Sequence, residues 1–392
     1  MRLPLIMIAV ASIVCGAIDF GIYKSLVHFK CGNSTKRGYC VFSVIVWVIF
    51  LLAILVPKKD IGNDGLVVIM WMLFSVLSIY VAKLLFLLFS LICSIFVKSK
   101  NCLIAPCIIA LSSLGLLLYS SAVTPYQINV SNIDIEFDNL PKAFDNYKIV
   151  QFSDLHLGSY ISGSTFIDEL VDSINAQNAN ITVFTGDIVN RQSNEMTVYT
   201  ECLKKLCSPD GVFSVLGNHD YGDYMHWESE VMKKLDVESL VSMQQRMNWT
   251  ILNNSHTIIR NGNDSIALIG VENWGDPPFK MYADLSSSYP NLNDSTFKIL
   301  LSHNPAHWDA EIIDKTNIAL TLSGHTHAMQ CAFNIFGKYI SPAVFRYSRW
   351  SGLYTNQEKQ YLYVNSGIGE VAIPARIGVK PEITVITLHC KE

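Results

Sequence analysis

Five short motifs in the second half of the chain carry side chains that bind metals. In order they are Asp154-Leu-His156, Gly186-Asp187, Gly217-Asn-His-Asp220, Ser302-His303 and Gly324-His-Thr-His327. Pooled, they offer Asp154, His156, Asp187, Asn218, His303, His325 and His327 as ligands and leave His219 over. Oxygen donors mixed with imidazole suit Mn²⁺, Fe, Zn²⁺ or Co²⁺, and seven donors are too many for one ion. The number fits two ions sharing a carboxylate, an arrangement suited to hydrolysing phosphate esters. Each motif alone is weak, since Gly-Asp is more often a turn than a ligand and a lone Ser-His more often a surface histidine. The inference rests on their conjunction.

Short apolar runs precede every motif. Tyr147–Ser153 leads to Asp154, Ile181–Thr185 to Gly186-Asp187, and Val212–Leu216 to Gly217-Asn218. Phe297–Ser302 ends at His303, and Ile318–Ser323 ends at Gly324-His325. Runs of this length and β-branched content predict buried strands. A site at the carboxyl ends of strands is the expected place in an α/β sheet. Ile128–Phe137 alternates and reads as a further strand, with Ile133, Ile135 and Phe137 on one face. Helices are expected near 164–177, 193–206, 223–235 and 305–314.

The ordered set of motifs resembles the calcineurin-like metallophosphoesterase superfamily, over roughly residues 130 to 389. Leu353-Tyr354, Tyr361–Ile368 and Pro381-Glu-Ile-Thr384 are similar to the tail of its bacterial transmembrane branch. One departure is Asn365-Ser366-Gly367, where such relatives carry Asn-Arg-Gly; a phosphate-binding arginine is missing there. The resemblance implies an α/β fold, a four-layer α/β/β/α sandwich with two β-sheets face to face and helices outside. It also implies a division of ligands. Asp154, His156, Asp187 and His327 would hold one divalent ion; Asp187, Asn218, His303 and His325 would hold the other, with Asp187 bridging. The implied reaction is attack of a bridging hydroxide on phosphorus. His219 would stabilise the charged transition state or protonate the leaving oxygen, and Asp220 would orient His219. Arg346 and Arg349 are candidate phosphate contacts, or equally solvated surface arginines. Trp274 and Trp308 are read as packing residues or as walls of a substrate groove, and His307 as a support or surface residue.

The first third of the chain is of another kind. Leu3–Val27, Val41–Val56, Leu66–Val97 and Leu103–Val123 are long apolar runs, read as four transmembrane helices. Residues 1–125 are thus expected to form an all-α membrane region and 126–392 the catalytic domain. Asp19 and Lys83 interrupt the spans, and either pair with one another or reach the headgroups. Lys24, Lys30, Lys36, Arg37, Lys98 and Lys100 flank one side, against Arg2, Lys58 and Lys59 on the catalytic side. That bias predicts an outward-facing catalytic domain. Ten cysteines show no disulfide framework in the soluble part.

A net charge of −4 without a basic stripe argues against nucleic acid as a partner. Tethering to a bilayer points to a lipid-linked or envelope phosphoester: a phosphodiester, pyrophosphate or phosphomonoester. A UDP-diacylglucosamine-type lipid precursor is the substrate the resemblance offers, but an outward domain would not meet a cytosolic nucleotide lipid. A catalytically silent membrane receptor or scaffold, using the metal domain for binding, is the contrasting reading.

Overall fold

The computed structural model describes the chain except residues 1–4, 57–60, 97–98, 278, 290–291, 337, 358 and 392. Arg2, Lys58, Lys59 and Lys98, which enter the charge bias above, therefore lie outside the described residues. The chain forms two compact units, Met1–Ala122 with Ala372–Ala375, and Val123–Val371 with Arg376–Glu392.

Four helices long and apolar enough to cross a bilayer make up the first unit: α1 (Leu5–His28), α2 (Asn33–Leu55), α3 (Asn63–Phe96) and α4 (Ile104–Ala122). The protein is therefore a multi-pass membrane protein. The second span is longer than its apolar run. Its first turns are polar, from Asn33 to Gly38, and hydropathy alone did not register them. Val10, Ile13, Val44, Leu77 and Leu111 point outward, as lipid-facing residues must, while Ile22, Val46, Val76 and Tyr80 pack together inside.

Asp19 and Lys83 pair directly, Nζ to Oδ1 at 2.7 Å. Asp19 also accepts hydrogen bonds from the Tyr39, Ser43, Trp47 and Tyr80 side chains at 2.6–3.1 Å. A lone charge at mid-bilayer costs roughly 2.5–3.5 kcal/mol, so one satisfied cluster replaces two such costs. Lys83→Met should leave an uncompensated carboxylate and destabilise the detergent-solubilised protein by about 3–5 kcal/mol. The double variant Asp19→Asn/Lys83→Met should recover most of it. A single variant that melts with wild type would show that the pair does not hold these helices.

The second unit is a four-layer sandwich. One mixed sheet runs β1 (Asn129–Phe137), β14 (Glu382–Cys390), β2 (Tyr147–Phe152), β3 (Ile181–Phe184), β4 (Val212–Ser214), β5 (Trp249–Ile251). The other runs β12 (Gly352–Asn356), β13 (Gln360–Val364), β9 (Leu320–Ser323), β8 (Phe297–Leu301), β7 (Asp264–Gly270), β6 (Ser255–Asn261). Their inner faces share one core, in which Ile149, Val183 and Phe213 meet Leu268, Ile299 and Leu322. Ile135 and Phe137 enter that core with Ile133 packed against it, the face their alternation predicts.

Outside the first sheet lie α5 (Phe166–Asn175), the short α6 (Thr200–Leu203) and α7 (Glu230–Arg246). Phe166, Ile167, Leu170, Val171 and Ile174 fall on one face of α5 and are buried, while Asp168 and Glu169 complement the dipole of its first turn. The helix expected at 223–235 instead starts at Glu230. Ser229 caps it by accepting the Met232 N–H at 3.2 Å, and it continues to Arg246. The segment expected at 193–206 splits into a 3₁₀ stretch, Ser193–Tyr199, followed by α6. Over the second sheet the outer layer is thin: α8 (Leu285–Ser288) and a π-turn, Trp308–Ile312, where 305–314 was expected to be helical.

Candidate metal centre

Strands β2, β3 and β4 run parallel in one sheet, and β8 and β9 run parallel in the other. Each motif follows the end of one of these strands, so the two sheets deliver their side chains to a common edge. Asp154 and His156 follow β2, Asp187 follows β3, Asn218 and His219 follow β4, His303 follows β8, and His325 and His327 follow β9. The turns that carry them are strained. Asp154, His156, Asp187, His325 and His327 all have positive φ, between 44° and 72°. Such backbone is uncommon outside glycine and persists where the surrounding structure over-determines it. Gly217 and Gly324 make the close approach feasible. A Cβ on Gly217 would collide with Asp187 Oδ1, and one on Gly324 with the Ser153 hydroxyl and Asp154 Oδ2.

The donor atoms form three overlapping groups: Asp154, His156 and His327; His156, Asp187 and His219; Asp187, His303 and His325. His327 Nε2 lies 3.2 Å from Asp154 Oδ1 and 3.0 Å from His156 Nε2. Asp187 Oδ2 lies 3.6 Å from His156 Nε2 and 3.2 Å from His303 Nε2, and His303 Nε2 in turn lies 3.3 Å from His325 Nδ1. Asp187 thus touches both halves. Its other oxygen, Oδ1, accepts the His219 backbone N–H at 2.8 Å, which fixes the orientation of Oδ2. Asn218 donates through Nδ2 to the Tyr224 hydroxyl at 2.7 Å, and among the described residues neither its buried Oδ1 nor buried His156 Nδ1 has a hydrogen-bond partner. The Asn218 oxygen is therefore available to an ion. His303 Nδ1 faces the Thr185 carbonyl at 2.7 Å, which sets the tautomer that keeps an Nε2 lone pair for a metal.

Electrostatics match that donor set. Burial alone would raise both carboxyls, but His327 beside Asp154 and His303 beside Asp187 hold them well below the ordinary carboxylate range. Burial, then neighbouring imidazoles, pushes His156 far down and His325 to about 3, so both rings are neutral. Ionised carboxylates and neutral imidazoles are the forms that bind metals. His303 is the exception. Burial would lower it, but the charge of Asp187 and a hydrogen bond to it raise it to about 9. His303 Nε2 faces Asp187 Oδ2 at 3.2 Å, and the space between them is the place a cation would take.

Asp220 has a different task from the one expected. Its carboxylate accepts the backbone N–H groups of Asp187, Ile188, Val189 and Gly217 at 2.9–3.2 Å. It thereby clamps the loop bearing Asp187 and does not reach the His219 ring. Burial and the nearby charge of Asp187 raise it to about 7. The Asn190 carbonyl meets His219 Nδ1 instead, at 2.7 Å, which turns Nε2 away from that anchor.

Arg346 pairs with Asp276 at 2.8 Å, and Arg349 lies 3.5 Å from Asp309 and stacks on Trp308 and Tyr354. Among the described residues neither guanidinium contacts the cluster. Trp308 is a core residue, fully buried with Ile312 and Leu362, and lines no groove. Trp274 stacks on His307, which is itself buried and bonded to the Ser302 hydroxyl at 2.9 Å. Three neighbours of the centre carried no sequence signal. Tyr224 lies across the His219 ring, with centroids 4.3 Å apart. Tyr347 places its hydroxyl 3.5 Å from His325 Nε2. Arg376 is fully buried, donates to the Ser366 and Gly369 carbonyls, and comes within 3.5 Å of His327 Nδ1. A guanidinium thus lies beside the Asn365-Ser366-Gly367 run, but it serves the protein's own carbonyls.

Residues 147–329 match the family model described as calcineurin-like phosphoesterase. The chain is 32% identical over 280 residues to YkuE of Bacillus subtilis, an uncharacterized metallophosphoesterase, covering 69% of this chain and 88% of that one. The chain belongs to the calcineurin-like metallophosphoesterase superfamily. An uncharacterized metallophosphoesterase of Campylobacter jejuni is 29% identical over 402 residues, 97% of each chain. A bovine transmembrane protein with a metallophosphoesterase domain is 30% identical over 66% of this chain, which spans 57% of that protein's length. In this superfamily member the candidate metal centre lies within the matched segment, since Asp154 and His327 are its first and last donors.

Proposed function

We propose that the protein is a membrane-anchored dinuclear-metal phosphoesterase acting on a lipid-linked or envelope phosphodiester, pyrophosphate or phosphomonoester. The observation that carries this reading is the Asp187 carboxylate, with Oδ2 between His156 on one side and His303 on the other. Asp154, His156, Asp187 and His327 would hold one divalent ion, and Asp187, Asn218, His303 and His325 the second. When bound, such a pair supplies Lewis-acid polarisation of a phosphoryl oxygen and lowers the pKa of water. The chain's own part is positional. Asp220 holds the Asp187 loop by its backbone, and the Asn190 carbonyl fixes His219 so that Nε2 can hold a proton for the leaving oxygen. Arg346 would have to leave Asp276 to meet a phosphate, so we assign the first recognition of substrate to the centre itself.

The surplus of positive residues on the loops opposite the catalytic domain supports an outward orientation. One experiment tests activity, preference and side together. Spheroplasts of a bacterial host expressing the full chain are given Mn²⁺ with bis-p-nitrophenyl phosphate or p-nitrophenyl phosphate, before and after lysis. Hydrolysis of the diester by intact spheroplasts is expected. Activity appearing only on lysis would put the domain inside and favour the nucleotide-lipid precursor. Hydrolysis of neither ester, even after lysis, would leave the scaffold reading.

A further inference from the structure

The hairpin that leaves the Gly-His-Thr-His loop contributes almost nothing to a core. Its strands, β10 (Phe333–Ile335) and β11 (Lys338–Ile340), pair antiparallel with Phe333 opposite Ile340. Phe333, Ile335 and Ile340 therefore share a face, on which Lys338 is paired opposite Ile335, and the three apolar residues are exposed. Phe336 at the turn is fully exposed and has a φ of 51°, a backbone that bulky residues rarely adopt. The 3₁₀ turn that follows, Pro342–Phe345, leaves Phe345 93% exposed. Soluble proteins seldom expose this many large apolar side chains on so short a segment without a partner for them.

Chain length identifies the partner. Helix α4 ends at Ala122 and β1 begins at Asn129. At no more than about 3.6 Å per residue, the sheet begins within roughly 25 Å of the last membrane span. The unit that carries the hairpin is thus tethered to a bilayer by a short link. Aromatic and aliphatic side chains on a small hairpin suit the boundary between headgroups and acyl chains, where water still reaches the open edges of its strands. We propose that the Phe333–Ile340 hairpin, with Phe345, inserts into the lipid interface and holds the loop of His327 beside it. Anchoring stands apart from the hydrolase reading; its use in delivering a lipid-borne phosphoester rests on that reading.

The test uses the full chain in nanodiscs of phosphatidylethanolamine and phosphatidylglycerol, with trifluoromethyl-phenylalanine in place of Phe336 or Phe345. Nitroxide carried on lipid acyl chains is expected to broaden both fluorine signals several-fold more than a water-soluble gadolinium chelate does. Broadening by the chelate alone means that the hairpin stands in water and overturns the proposal. Broadening by neither, with cross-links between two chains, means that a second copy covers it and also overturns the proposal. In the activity arm, Phe336→Asp/Phe345→Asp should keep wild-type turnover of bis-p-nitrophenyl phosphate yet lose about tenfold or more on a phosphoester lipid in the same nanodisc. If the wild type does not hydrolyse that lipid, the substrate reading fails, while the fluorine signals still decide the anchoring.

Discussion

Asp187→Asn should strip at least one ion from the metal centre and abolish turnover. Asparagine can still accept the His219 N–H through Oδ1, so the fold of the loop survives. The atom then facing His156 and His303 is an amide nitrogen, which donates and does not bind metal. Both proposed ions lose a ligand at once. Elemental analysis of the purified protein should read about two ions per chain for the wild type and one or fewer for the variant. Removing a single oxyanion donor costs roughly 10²–10³ in rate, so loss of an ion should cost more than about 10³. Two ions retained in the variant, or one ion in a fully active wild type, would sink the shared-carboxylate arrangement.

His219→Ala separates catalysis from metal binding. The ring is anchored by Asn190 and lies edge-on to His156, with centroids 4.8 Å apart, so its loss creates no gap in the proposed ligand sets. The expected result is two ions kept and a rate reduced by about 10²–10⁴, the scale for a positioned general acid. One donor group, however, joins His219 to His156 and Asp187. Loss of an ion in this variant would make His219 a ligand, and an unchanged rate would remove it from the chemistry.

The strands and their motifs were legible because a buried strand and the glycine that ends it both write themselves into local sequence. Val183, Phe184 and Gly186-Asp187 are an example: an apolar run, then a turn with no Cβ in the way. What local pattern could not show is which atom each side chain meets. Asp220 follows His219 directly, and adjacency invited a contact between them. The carboxylate instead turns to four backbone N–H groups, two chain segments being brought together there by the β3–β4 pairing. Asn190 acts through its carbonyl, which every residue possesses, so no residue type announces it. Arg376 lies 49 positions from His327 and meets it only after the second sheet is assembled. Helix boundaries failed for a related reason. Val231, Met232 and Leu235, inside the expected 223–235 helix, are exposed on α7, whereas the residues α7 buries, Leu240 and Met243, lie beyond the expected end.

The order of strands in the first sheet also dictates when the metallophosphoesterase domain can take shape. β14 lies between β1 and β2, parallel to the first and antiparallel to the second. It is synthesised after every strand it joins. Until the ribosome has passed Cys390, β1 has no neighbour in its sheet and β2 has an open edge. The four apolar helices have by then left the ribosome and can enter the bilayer while the catalytic part is still unclosed. Long-range pairing of this kind folds slowly. Membrane entry of the helices and completion of the sheet thus need not compete, because the last strand acts as a clasp that shuts only once the strands it joins have been made.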